Sequence, residues 1–190
     1  MAAHITKLKE TIVQVLPAVI KEVNSVRIPA LEQAWGRPFK DEFANEDQTT
    51  VEIAKNYARV LNNCMLRHIS NVLPEFKEHT TNGSDYIYGN LLIEDKNSFS
   101  PDSNGWVGNG FGKTPVHLLK KFRCCENGRI TEAFVALVDL SKCKSQWSDK
   151  SLNTNRSTIS FSNEDEKHID VIFGQLQLKT KNIKPITIKV

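Results

Sequence analysis

The chain has 190 residues, a formal net charge of +3, and 39% hydrophobic and 25% charged residues. A chain of this length can bury a core in one domain without disulfides, and its apolar and charged fractions are normal for a soluble globular protein, so disorder is not expected. No apolar run approaches the roughly 20 residues of a membrane-spanning helix, and the N-terminus lacks the pattern of a signal peptide. We therefore expect a cytoplasmic protein with no membrane partner.

The first third of the chain is predicted to be helical. Apolar residues recur at helical spacing over 5–23, although Pro17 lies inside the pattern and favours a kink or a division there. Residues 28–47 look irregular, apart from a short helix in "PALEQAW" with proline in its first turn. A longer helix is predicted over 50–72, and Pro74 marks its end.

Strands follow the helices. "DYIY" and "NLLIE" flank Gly89-Asn90, which suits a two-residue hairpin turn, and Asn127-Gly128 indicates a second hairpin. Residues 97–115 are rich in Gly, Ser and Asn and are predicted to form a long loop. "STISF" and "HIDVIFGQLQLK" are strand-like. These elements predict an α/β fold of the α+β type, with a mixed central β-sheet flanked by helices.

We expect one domain, 1–190, with three parts in chain order. They are a helical N-terminal part, a catalytic sheet core, and C-terminal strands that include a candidate DNA-recognition element, at 1–75, 83–140 and 141–190.

The first predicted hairpin carries a candidate metal site. With Gly89-Asn90 as the turn, Asp85 faces Glu94 on the opposite strand, and Lys96 shares the face of Glu94. Directly opposed carboxylates repel each other unless a cation lies between them, and Mg²⁺ binds one or two carboxylates while keeping several waters. A lysine beside this metal can orient a water, or help take its proton, for attack on phosphorus. The pattern predicts metal-assisted phosphodiester hydrolysis, with Asp85 and Glu94 as Mg²⁺ ligands.

The acid-x-Lys part of this pattern could occur by chance. It is found three times in the chain, at 75–77, 94–96 and 165–167. An ordinary chain of this length contains about one or two such matches. Only the middle match closes an apolar strand and has an aspartate at the matching hairpin position. An ordinary hairpin with a charged rim is the simpler alternative.

"SDYIYGNLLIEDK" resembles the Asp…(Asp/Glu)-x-Lys motif of the restriction-endonuclease-like nucleases, the PD-(D/E)xK superfamily. Asp85, Glu94 and Lys96 match the three motif positions. The resemblance implies a motif hairpin in a mixed sheet flanked by helices, and Mg²⁺-dependent cutting of double-stranded DNA that leaves 5′-phosphates. Many small members are type II restriction endonucleases that act as homodimers on palindromic sites. The resemblance therefore also implies a homodimer.

The chain departs from the family pattern at two positions. Ser84 stands where a proline often precedes the aspartate, and Asp95 stands where the family usually has an apolar residue. The sequence gives Asp95 no role. Many family members add an acid from the preceding helix, and Glu52 is the best candidate for this catalytic role. An acid in a helix's first turn is also favoured by the helix dipole alone.

Two stretches are locally basic. Five basic residues lie between Lys96 and Arg123 against the single acid Asp102, and 174–190 contains four lysines and no acid. Such focused charge suits a phosphate backbone or simply a solvated surface. The predicted DNA contacts are Asn109, Lys113, Lys120 and Lys121. The Gly-rich loop 104–113 and the polar segment 144–157 are candidate recognition elements.

The sequence leaves two alternatives to a restriction endonuclease. One is a repair or recombination nuclease of the same fold that selects DNA structure rather than sequence. The other is a non-catalytic module that binds nucleic acid through its basic stretches.

Overall fold

The computed structural model describes residues 2–36, 38, 50–79, 84–108, 114–124, 127–151 and 156–190. Two of the predicted DNA contacts, Asn109 and Lys113, lie outside these residues, as does the side chain of Glu52. The remaining candidate site residues are described.

The helices lie where the apolar spacing predicts them. They are α1 (Ala2–Glu22), a π-helical turn (Val23–Arg27), α2 (Ile28–Trp35) and α3 (Thr50–Val72). Pro17 lies inside α1 and does not divide it, and Pro29 occupies the first turn of α2. None of the described helices is both long and apolar enough to cross a bilayer.

The strands follow in chain order. They are β1 (Phe76–Glu78), β2 (Tyr86–Tyr88), β3 (Leu91–Ser98), β4 (Gly105–Gly108), β5 (Val116–Cys124), β6 (Ile130–Asp139), β7 (Ser157–Ser160), β8 (Ile169–Phe173), β9 (Gln175–Leu178), β10 (Ile183–Ile186) and β11 (Ile188–Lys189). The central sheet has the order β1-β2-β3-β5-β6-β11, and β8 also pairs with β6. Strands β3 and β5 run parallel while the other neighbours are antiparallel, so the predicted mixed sheet is confirmed.

Both predicted hairpins form. Gly89 has a φ of 58° in the turn between β2 and β3, and Gly128 has a φ of 76° between β5 and β6. The β2–β3 register pairs Tyr86 with Ile93 and Tyr88 with Leu91, as the two-residue turn requires. The Asp85 N–H then donates to the Ile93 carbonyl at 2.9 Å. This register fixes which side chains of the candidate site share a face.

The two faces of the central sheet are covered differently. On one, the helix face, side chains such as Ile93 and Leu118 join the core under α1 and α3. On the other, the ribbon face, Leu119 and Phe134 pack against the antiparallel ribbons β4–β7 and β9–β10. Among the described residues, the α-helices that flank the sheet therefore lie on one face, and the ribbons lie on the other. The crossover from β3 to β5 is rich in Gly, Ser and Asn and lacks helical spacing.

The prediction that 97–115 is a loop without secondary structure is wrong, because this segment contains strand β4. It pairs with β7, and its Trp106 is 1% exposed and packs in the core of the ribbon face. The four residues of β4 have no alternating pattern of their own. The strand forms because Trp106 can be buried only when the distant β7 pairs beside it.

Candidate active site

Glu94 and Lys96 lie side by side on the ribbon face of β3. Alternation along the strand directs both side chains to this face, and the Lys96 ammonium forms an ion pair with Glu94 Oε1. The Glu94 side chain is 1% exposed, whereas that of Lys96 retains 15%. A buried carboxylate is thus linked by its lysine to the protein surface.

Asp85 lies directly before β2, one residue beyond the last regular pair of the hairpin, Tyr86 with Ile93. Its Oδ2 accepts a hydrogen bond of 2.7 Å from the backbone N–H of Asp95, which fixes the side chain against β3. Burial raises the pKa of Asp85 above its ordinary value, the Asp95 N–H opposes this rise, and the Glu94 carboxylate adds to it. The ionised form of Asp85 is therefore disfavoured at this position.

Gly108 and Trp147 form one side of the site, next to the Lys96 side chain. A β-carbon built on Gly108 would lie 3.0 Å from Lys96 Cε and 3.5 Å from Trp147 Cη2, so the backbone of β4 approaches the lysine closely. His117 pairs with Glu94 in the β3–β5 register and is 1% exposed. Its Nε2 accepts a hydrogen bond from Trp147 Nε1 at 3.2 Å, which holds the indole beside the site.

Sequence reasoning missed these wall residues. Only the polar composition of 144–157 hinted that this segment is involved, and the part described lies beside β7, where Ser148 N–H donates to the Thr158 carbonyl at 2.8 Å.

The structure explains Asp95, which had no role in the sequence. Its side chain points to the helix face, where Lys120 Nζ lies 2.8 Å from both carboxylate oxygens, and neither side chain is exposed. Lys120 also donates to Asn62 Oδ1 of α3 at 3.0 Å, and the Tyr86 hydroxyl lies 3.4 Å from Asp95. Asp95 is therefore the counter-ion of the buried Lys120.

Lys120 and Lys121 are both 0% exposed, which corrects the expectation that they contact DNA phosphates. Lys121 points to the ribbon face and donates to Ser103 Oγ at 2.9 Å and to the Gly105 carbonyl at 2.8 Å, with its ammonium 4.5 Å from the centre of the Trp106 ring. Burial lowers the pKa of Lys121 to about 8. The two lysines are internal because β5 lies between β3 and β6 and both of its faces are covered. Through its hydrogen bonds to Ser103 and Gly105, Lys121 holds the start of β4 against β5.

The catalytic role predicted for Glu52 lies outside what the structure describes, because only the backbone of this residue, in the first turn of α3, is among the described residues.

Among the described residues, no three His, Cys, Asp or Glu side chains cluster as metal ligands, so this site offers a pair of carboxylates. The chain matches no protein-family model and is similar to no curated protein. Function is therefore inferred from the residues and their geometry alone.

Proposed function

We propose that the chain is a Mg²⁺-dependent endonuclease that hydrolyses phosphodiester bonds of duplex DNA. More specifically, we propose a type II restriction endonuclease of the PD-(D/E)xK superfamily that acts as a homodimer on a short site and leaves 5′-phosphates. The observation that carries the proposal is the ion pair of Lys96 with Glu94 near Asp85, whose pKa is affected by both of these charges. This arrangement supplies two carboxylates and a lysine at one place.

The donor set fits Mg²⁺. Asp85 and Glu94 would hold the ion through hard carboxylate oxygens, and waters would complete the octahedron that this cation prefers. Burial and the Glu94 carboxylate both raise the pKa of Asp85, and a bound cation would favour its ionised form. When bound, Mg²⁺ stabilises charge on the phosphate and lowers the pKa of a bound water.

The chain's own residues orient the reactants. Lys96 reaches from Glu94 towards solvent, so its ammonium can direct a water or donate to a phosphate oxygen. Gly108 and Trp147 confine the aliphatic part of Lys96 and limit the positions of its ammonium. Asp95 positions Asp85 through its backbone N–H.

A serine–histidine pair lies beside the same hairpin but does not favour acyl transfer. Ser84 Oγ lies 2.6 Å from Nδ1 of His79, yet Ser84 is only 7% exposed. The contact of Asp85 with His79 is through its backbone carbonyl, which accepts the His79 N–H at 2.9 Å, and not through its carboxylate. The pair joins the ends of β1 and β2.

Digestion of a sequenced phage DNA tests the proposed function. With Mg²⁺ we expect discrete fragments whose mapped ends carry 5′-phosphates, and with EDTA we expect intact DNA. A smear, or cutting of branched DNA only, would instead identify a structure-selective nuclease. Mg²⁺-independent binding with no cleavage of any DNA would identify a non-catalytic module.

Asp85→Asn is expected to stabilise the metal-free protein and to remove its response to Mg²⁺. The amide oxygen still accepts the Asp95 N–H, while the buried charge is lost. Because the folded-state pKa of Asp85 is raised, its stabilising contribution is complete below about 3.8 and is lost as pH rises through the folded-state pKa. Melting temperatures at neutral pH should therefore be higher for Asp85→Asn without metal, and Mg²⁺ should raise only the wild-type value.

Asp149→Asn is the matched control, because Asp149 is an exposed aspartate. It should leave both the metal-free melting temperature and the Mg²⁺ response unchanged. An Mg²⁺-induced shift that persists in Asp85→Asn would exclude Asp85 as a ligand.

A further inference from the structure

The ribbon β9–β10 has one apolar and one polar face. Ile183 and Pro185 are buried, and the next position along β10, Lys184, pairs with Gln177 of β9. Because side chains alternate along each strand, Gln175, Gln177 and Lys184 share the face directed away from the core. Both glutamines are exposed. The outer face therefore presents three long hydrogen-bonding side chains, with the partly buried Ile186 opposite Gln175.

The tip of the ribbon is strongly positive. Lys179 and Lys181 lie in the exposed turn between the strands, and no acidic residue occurs over 174–190. Among the described residues, neither of these lysines nor Lys184 forms an ion pair. Their charge is free to act on a partner.

The ribbon is held firmly to the protein. Ile183 is 1% exposed, and its N–H donates to the Phe161 carbonyl at 2.9 Å. Asn163 Nδ2 donates to the Lys179 carbonyl at 2.7 Å, and Ser162 forms an isolated bridge with Asn182. The polar face is therefore presented in a fixed orientation, unlike that of a free loop.

We propose that the β9–β10 ribbon enters the major groove of duplex DNA, where the three lysines contact phosphates and Gln175 and Gln177 contact base edges. This inference rests on the proposed function and assigns sequence reading to a part of the chain remote from the catalytic hairpin. A major groove about 12 Å wide admits a two-stranded ribbon, and glutamine pairs with N6 and N7 of adenine. Lysines at phosphates fix the position of the ribbon on the duplex.

The ribbon lies on the same face as the candidate active site. Lys96 contacts Gly108 of β4, Gly108 pairs with Ser157 of β7, and Ser162, five residues later, bridges to Asn182. Five residues of extended chain span at most about 16 Å, at about 3.3 Å per residue.

The salt dependence of binding tests the phosphate contacts. The variant Lys179→Gln/Lys181→Gln is compared with Lys7→Gln/Lys21→Gln, which removes two exposed lysines of α1, the helix that covers the opposite face. Both are titrated with a labelled mixed-sequence duplex in EDTA. We expect the slope of log K against log salt to fall by about 0.9 per lysine in the ribbon variant only. A wild-type slope in that variant overturns the inference.

Selection from a random duplex pool, also in EDTA, tests the base contacts. Gln175→Ala/Gln177→Ala should keep the salt slope but lose about tenfold or more of its preference for adenine at the positions that it reads. An unchanged preference overturns the assignment of base reading to the ribbon.

The two proposals fail separately, because neither binding measurement requires cleavage. Ribbon-dependent binding without Mg²⁺-dependent cutting would overturn the proposed function and support this inference. Cutting with unchanged salt slopes and base preferences would overturn this inference alone.

Discussion

Replacing Lys96 with alanine is expected to reduce Mg²⁺-dependent DNA cleavage by about 10²- to 10⁴-fold, the range typical of a lost proton-transfer group. In the proposed mechanism its ammonium, which pairs with Glu94 Oε1 on a side chain that is 15% exposed, acts on the attacking water or the phosphate. DNA binding in EDTA should remain, since Lys96 is one of many positive charges. Initial cleavage rates on a defined duplex give the measurement.

Lys77→Ala is the matched control. Lys77 closes another acid-x-Lys sequence, at 75–77, but lies exposed on the edge strand β1. It should cut at the wild-type rate. Lys96→Gln keeps a hydrogen-bond donor for Glu94 but removes the positive charge. A loss of cleavage in this variant as well would therefore not be explained by misfolding. Discrete fragments produced at the normal rate by Lys96→Ala would remove Lys96 from the active site.

Lys120→Met is expected to lower the free energy of unfolding by about 3–5 kcal/mol, the cost of removing one partner from a buried ion pair. Its ammonium is the counter-ion of Asp95, and both side chains are fully buried. The substitution preserves the length of the side chain but leaves a buried carboxylate without its cation. Urea unfolding of the two proteins at neutral pH measures the difference.

Lys121→Met and the double variant Asp95→Asn/Lys120→Met serve as controls. Lys121 is equally buried, but its ammonium donates to hydroxyl and carbonyl oxygens such as those of Ser103 and Gly105, so its loss leaves no unpaired charge. We expect a smaller destabilisation for Lys121→Met, and a smaller one for the double variant than for Lys120→Met. Equal losses in all three proteins would show that packing, and not charge, sets the stability here.

The local parts of the fold could be predicted from the sequence. Apolar residues at helical spacing predicted α1 and α3, and Gly89-Asn90 predicted the β2–β3 register, in which Tyr86 pairs with Ile93 and Tyr88 with Leu91. These features depend on residues that are close in the chain, so a single sequence contains the information needed to find them.

The non-local parts could not be predicted. Strand β4 forms only through its pairing with β7, and Trp147 reaches the site through contacts with β4 and β5. Lys120 and Lys121 look like surface residues because lysines are almost never fully buried unless paired. Their partners, Asp95 and the oxygens near β4, become visible only once the strands have been placed side by side.

The pairing of β4 with β7 joins residues about fifty positions apart, such as Gly108 and Ser157. A long loop must close before this contact forms, so it belongs to the slow, late part of folding. During synthesis, the hairpin of β2 and β3 leaves the ribosome well before β7 does. The newly made chain therefore carries Glu94 and Lys96 for a time without the wall that confines the lysine, and a competent site appears only when the C-terminal strands have docked.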